Sequence, residues 1–239
     1  MIPRITARYP EATIEDSYAI QRVWRDRQLA AGRRLAGRKI GLTSKAMQAA
    51  TGITEPDYGV MFEDTVHSSG ATLEHDAFSN VRIEVELAFR LSAPLQGPDC
   101  ALEQVLAATA EVVPALEVLN SHIEMEGRTI VDTIADNAAY GAMVVSEETT
   151  APDAVDLRWV AALLARNGEI EETGVAAGVL GHPASGVAWL ANKLHQHGDR
   201  LEAGEIILAG SFTRPMWVSR GDEVTCDYGP MGTITCSFR

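Results

Sequence analysis

The chain is expected to fold as an α+β structure built on a strongly bent, largely antiparallel sheet with flanking helices. Three observations lead there. Arg82-Ile83-Glu84-Val85-Glu86-Leu87-Ala88-Phe89 puts Ile83, Val85, Leu87 and Phe89 on one parity and Arg82, Glu84 and Glu86 on the other, the period-two pattern of a strand with one buried face. The chain beyond residue 204 is mostly short apolar runs closed by turns. Helical and strand patterns are mixed without regular βαβ alternation. The G-x-G-x-x-G, G-x-x-x-x-G-K-[ST] and G-x-S-x-G motifs are all absent, so neither nucleotide binding nor a nucleophile elbow has support.

The elements follow in order. Thr13-Ile14-Glu15-Asp16 opens a helix with the spacing of a capping box; Ile20, Val23 and Trp24 form its apolar stripe, and Gly32 ends it. Gly37 and Gly41 bracket a short strand carrying Arg38 and Lys39, where backbone can approach a ligand closely. A short helix is expected from Lys45 to Ala50. Glu55-Pro56-Asp57-Tyr58-Gly59 reads as a turn. After the strand at 82–89, a helix is expected from about Cys100 to Ala110, stopped by Pro114, which starts a strand holding Glu117. Residues 120–128 read as a loop, and Asp132 and Asp136 as caps. Asn167-Gly168 marks a hairpin between 159–166 and 169–173. Val187, Leu190, Ala191 and Leu194 lie on one face of a helix that His182 precedes, and Gly229-Pro230-Met231-Gly232 turns the last strands.

On the strand at 82–89, Glu84 and Glu86 share a face at ~6–7 Å spacing. A wetted surface strand would tolerate that. So would a divalent cation, which hard oxygen ligands suit. Glu117, flanked by Leu116 and Val118, is the third acid needed to favour the cation: a lone carboxylate in an apolar run is costly unless it is paired or metal-bound. Three carboxylates and no sulfur or nitrogen donor point to Mg²⁺ or Mn²⁺.

Composition narrows the partners. The 239 residues carry 46% hydrophobic side chains and a net charge of −13. That balance disfavours nucleic acid and an anionic membrane surface, and no apolar run approaches the ~20 residues of a membrane span. Cys100, Cys226 and Cys236 lack metal-ligand spacing, and Met1-Ile2-Pro3-Arg4-Ile5 lacks the apolar core of a signal peptide. A cytoplasmic protein with reduced thiols is the expectation. One catalytic domain is expected over 1–239, with 1–70 as a helical and loop part packed on a β-rich core at 71–239.

Several stretches together resemble the fumarylacetoacetate hydrolase superfamily, in its branch of hydratases and decarboxylases acting on 2-oxo acids from aromatic-ring breakdown. They are Lys39-Ile40-Gly41-Leu42-Thr43, Glu55-Pro56-Asp57-Tyr58-Gly59, Arg82-Ile83-Glu84-Val85-Glu86, Pro114-Ala115-Leu116-Glu117, Ala135-Asp136-Asn137-Ala138, Gly181-His182-Pro183 and Ala203-Gly204-Glu205-Ile206-Ile207, and they span nearly the whole chain. The resemblance implies that family's fold and a homo-oligomer. It implies Glu84, Glu86 and Glu117 as ligands of Mg²⁺ or Mn²⁺, Lys39 and Asp57 at the acid/base positions, and a small 2-oxo acid as substrate. It implies a hydratase: the dienol is ketonised to an electron-poor alkene and water adds at C4. A hydratase of the shorter 2-oxopent-4-enoate, a decarboxylase sharing the metal site, and a catalytically silent homologue are the alternatives. Leu42, Thr43, Ser211, Thr213 and Arg214 are taken as substrate-binding. Arg214 is the candidate for a second substrate carboxylate, a structural ion pair being the competing role. His122 stands where family members often carry an arginine.

Overall fold

The computed structural model describes residues 1–45, 48–49 and 53–239. Its helices are α1 (Ile5–Arg8), α2 (Ile14–Ala30), α3 (Leu102–Ala108), α4 (Ile130–Ala135) and α5 (Pro183–His195). Its strands are β1 (Leu35–Gly41), β2 (Asp57–Phe62), β3 (Val66–Ser68), β4 (Ala71–Leu73), β5 (Arg82–Leu91), β6 (Thr109–Leu119), β7 (Tyr140–Val145), β8 (Ala161–Arg166), β9 (Glu169–Val175), β10 (Ile206–Leu208), β11 (Met216–Trp217), β12 (Glu223–Asp227) and β13 (Thr233–Phe238). Among the described residues they form two sheets. One runs β2-β1-β10-β5-β6-β7-β3, with β11 also paired to β5; the other runs β4-β13-β12-β8-β9. Pairing is antiparallel except for β1 with β10, β3 with β7, and β4 with β13.

β5 is the middle of the larger sheet. Ile83, Val85, Leu87 and Phe89 are fully buried, as the alternation predicts, in a core shared with Val224, Cys226 and Ile234 of the smaller sheet and Val187 and Leu190 of α5. Tyr228 fastens the two sheets together: its hydroxyl donates to the carbonyl of Ala115 at 2.6 Å, with the carbonyl of Glu86 3.2 Å away. The three cysteines are buried and free.

Several local expectations hold. Thr13 and Asp16 form a reciprocal capping box on α2, and Asn167 and Gly168 turn the β8–β9 hairpin at φ 52° and 86°. His182 caps α5, its Nδ1 accepting from Ala184 N. Asp132 is the capping-box acid of α4, and also accepts from Thr6 N and Oγ1.

Others need correction. The apolar stripe read on α2 is not its buried face. Ile20 and Val23 are 41% and 53% exposed, while Ser17, Tyr18 and Gln21 are buried. This face meets the edge of β2, where Tyr18 stacks on Tyr58 at 4.5 Å and Gln21 Nε2 donates to the carbonyls of Tyr58 and Ile134. An open strand edge needs a donor, which isoleucine cannot supply. Residues 1–70 are more than a helical and loop part: they supply β1, β2 and β3 to the larger sheet. Asp57 begins β2 and is not a turn residue. Helix α3 gives way at Thr109, so Pro114 lies within β6 and does not start it. Val112 N bonds Thr150, and Pro114 O accepts from Ser146 N. The proline nitrogen thus faces the side where β7 has ended, and no ladder bond is lost. Of the short helix expected from Lys45 to Ala50, Lys45, Gln48 and Ala49 are helical, and the rest lies outside the described residues.

Candidate active site

Register assembles the acids. Glu84 on β5 sits directly opposite Glu117 on β6, and Glu86 opposite Ala115. The three carboxylates therefore share one face, and each offers an oxygen within 4.8 Å of the others. Glu86 and Glu117 are fully buried and Glu84 is half-buried. Gly210 N donates to Glu86 Oε2 at 2.8 Å, whereas Glu86 Oε1 and Glu117 Oε2 have no hydrogen-bond partner. Buried carboxylate oxygens left without a partner this close together call for a cation or a retained proton.

Two basic and acidic groups from β1 and β2 complete this face. Lys39 Nζ lies 3.0 Å from Glu117 Oε1, and both side chains are almost wholly buried. Asp57 pairs with Gly41 in the β1–β2 ladder. A Cβ at Gly41 would stand 2.2 Å from Asp57 Oδ1, so glycine is what leaves space for the carboxylate. Gly210, at φ 117°, is a second obligatory glycine: a Cβ there would meet Thr43 Oγ1 at 2.2 Å.

Electrostatics follow from burial and crowding. Burial pushes Asp57 up to about 6, against the pull of Lys39. Burial and the neighbouring Glu117 lift Glu84 to about 7, and Glu86 stands well above the usual carboxylate range for the same reasons. Burial alone would lower Lys39, but Glu117, Asp57, Glu84 and Glu86 together hold it above the ordinary lysine value. Without a cation, then, the cluster retains protons near neutrality.

A cavity of about 420 Å³ opens on this group, lined by Lys39, Leu42, Asp57 and Glu84 together with Arg82, Arg128 and Pro215. Leu42 lines it at φ 57°. Thr43 does not line it; it packs on Gly210, behind Glu86. Ser211 and Thr213 brace their own loop, since Ser211 Oγ donates to Thr213 O and Thr213 Oγ1 accepts from Val85 N. With Arg214 they line a different cavity, of about 610 Å³. Arg214 is 77% exposed and forks onto Glu172 at 2.9 and 3.2 Å. The structure therefore brings Lys39, Asp57, Glu84 and Leu42 to one cavity, with Glu86 and Glu117 packed against Glu84, and leaves Thr43, Ser211, Thr213 and Arg214 outside it. Sequence reasoning passed over Arg82 and Arg128. Arg82 carried a signal, the parity it shares with Glu84 and Glu86; Arg128, on a loop, carried none.

No family model matches the chain. Over 243 aligned residues, 99% of this chain and 91% of its relative, it is 54% identical to a 2-oxo-hept-4-ene-1,7-dioate hydratase of Escherichia coli. The chain belongs to the fumarylacetoacetate hydrolase superfamily. Within it, a 4-oxalocrotonate decarboxylase from Pseudomonas putida G7, solved with magnesium and adipate, superposes with a TM-score of 0.97 at 35% identity, covering 100% of this chain and 90% of the other. A fumarylpyruvate hydrolase from Pseudomonas aeruginosa, solved with Mn²⁺ and pyruvate, shares the superfamily fold at TM-score 0.68 and 17% identity over 86% of this chain and 89% of that one. The chain is thus an enzyme of the hydratase and decarboxylase branch, with a carboxylate cluster that could hold a divalent metal.

Proposed function

We propose that this protein is a hydro-lyase that hydrates 2-oxo-hept-4-ene-1,7-dioate, or its dienol form, to 4-hydroxy-2-oxo-heptane-1,7-dioate in aromatic catabolism. The observation that carries the reading is the convergence of Glu84, Glu86 and Glu117 beside Lys39 and Asp57 in a chain 54% identical to a hydratase of that substrate. Mg²⁺ or Mn²⁺ held by the three glutamates would supply Lewis acidity toward the 2-oxo group and a seat for the adjoining carboxylate.

The chain's own groups have the remaining work. Hydration needs the enol hydroxyl's proton moved to C5 as the dienol ketonises, and a proton taken from the water that adds at C4 and returned to C3. Asp57, lifted to about 6 on the cavity wall, exchanges protons near neutral pH and is our candidate for these transfers. Lys39, fixed by Glu117 and held charged, is placed to stabilise the oxygen of an enolate. Leu42 and Ile53 give the cavity wall an apolar stretch.

The test is an assay of purified protein with Mg²⁺ on the seven-carbon diacid dienol and on 4-oxalocrotonate, following water addition and carbon dioxide release. Hydration without carbon dioxide supports the reading. Carbon dioxide release moves the protein to the decarboxylases, and no turnover of either substrate returns it to a silent homologue.

A cytoplasmic homo-oligomer is part of the proposal. Three free thiols suit a reducing compartment. Trp159 and Ile170, 73% and 58% exposed, and the bare Ile20 and Val23 of α2 offer apolar surface for a second copy. Light scattering at micromolar concentration should give a multiple of the chain mass, and a monomer would refute the assembly.

A further inference from the structure

Arg82 continues the row of Glu84 and Glu86 along the same face of β5, on the side away from Glu86. It is 8% exposed, and its guanidinium is pinned from two directions. Nη2 donates to Ser121 Oγ at 2.9 Å, and Cζ sits 5.3 Å from the ring centroid of Trp217, which pairs with Arg82 from β11. Arg128 Nη1 donates to the same Ser121 oxygen at 2.8 Å. Two guanidiniums thus meet on one fully buried hydroxyl at the wall of the cavity.

Among the described residues, neither has a carboxylate within ion-pair distance, whereas Arg33, Arg34, Arg38 and Arg90 all do. Burying like charges together without a counter-anion is costly. An anion delivered by the ligand removes that cost. Arginine is the side chain that takes a carboxylate through two parallel hydrogen bonds.

Resting on the function proposed above, we infer that Arg82 and Arg128, joined by Ser121, seat the substrate carboxylate remote from the metal, and so select a 2-oxo diacid over a monoacid. Spacing is compatible with this: Arg82 and Glu84 stand two residues apart on one face of β5, roughly 7 Å along the strand, and with Arg128 they line the same cavity. Arg214, spent on Glu172 outside this cavity, is not needed for the task.

The experiment is calorimetric titration of magnesium-loaded protein with two unreactive ligands, the saturated 2-oxoheptanedioate and 2-oxoheptanoate. Both keep the oxo-acid end, and one lacks the distal carboxylate. Wild type should prefer the diacid. Arg128→Gln and Arg82→Gln should each weaken the diacid by about 10–100-fold, the equivalent of one charge-assisted hydrogen-bond pair, and leave the monoacid within about two-fold of wild type. Arg128 lies on a loop, so its variant keeps the test open if Arg82→Gln fails to fold. Wild type binding both ligands equally, or variants weakening both alike, overturns the guanidinium seat while the metal and oxo-acid reading stands. Wild type binding neither sinks that reading, and this one with it.

Discussion

β5 and β9 carry the same short pattern, glutamate, β-branched residue, glutamate: Glu84-Val85-Glu86 and Glu169-Ile170-Glu171. On β9, the edge of the smaller sheet, both glutamates are exposed, Glu171 reaches across to Arg166 at 2.7 Å, and the intervening Ile170 is itself 58% exposed. On β5, Val85 is wholly buried, Glu86 fully so, and Glu117 arrives opposite Glu84 from the neighbouring strand. The pattern is a solvated edge in one place and part of a buried carboxylate cluster that could hold a metal in the other. What separates them is position in the sheet: a central strand has neighbours on both sides to bring a third acid and exclude water, and an edge strand does not.

The sharpest way to break this comparison is to neutralise acids in both places. Glu84→Gln and Glu117→Gln should lower magnesium affinity by more than the ~10–100-fold that outer partners of a metal site are worth, with the far-ultraviolet circular dichroism unchanged. Glu169→Gln and Glu171→Gln should leave it unaltered. Comparable losses at the two strands, read by calorimetry, would remove the distinction.

pH separates them next. Glu84 is raised from 4.5 to about 7 and Asp57 from 3.8 to about 6, so the metal-free folded protein binds protons that the unfolded chain has released. Stability then falls as pH rises, because the folded state holds more protons between the two sets of values. The thermal midpoint of chelator-treated protein should drop between pH 4.5 and pH 7, the window of these shifts. Magnesium should reverse the drop, and its affinity should rise over the same window as those protons leave. A midpoint that climbs through this range without metal would contradict the buried cluster.

A smaller effect is expected under β5. Tyr228→Phe removes the donor to Ala115 O and should cost about 1–3 kcal/mol, the price of an unsatisfied buried acceptor; denaturant midpoints measure it. The smallest belongs to the β9 side. Arg214→Ala breaks an exposed pair with Glu172, should cost less than about 1 kcal/mol, and should leave the affinity for 2-oxoheptanedioate unchanged. A ten-fold loss there would return Arg214 to the binding site.

The acid cluster was legible because alternation fixes which face each glutamate takes, and a charged residue inside apolar flanks demands a partner. What alternation cannot give is register, and register decides that Glu117 faces Glu84. Local signals misled where the tertiary neighbour outweighed them. Pro56-Asp57 reads as a turn, yet Asp57 is the first residue of a strand because β1 lies beside it. The stripe on α2 was ranked by hydrophobicity, while its real partner is a strand edge that asks for an amide. Arg128 enters the cavity from a loop, with no periodicity to announce it.

That strand edge has a consequence for how copies of this chain can meet. β2 ends the larger sheet, and its outward backbone groups are the natural place for another chain to add a strand. Three of them are already occupied. Asn137 lays its side-chain amide against Val60, accepting from its nitrogen at 2.8 Å and donating to its carbonyl at 2.9 Å, as a neighbouring peptide unit would. Gln21 does the same for the carbonyl of Tyr58. Two side chains thus counterfeit part of a missing strand and take three of the backbone groups that an added chain would need.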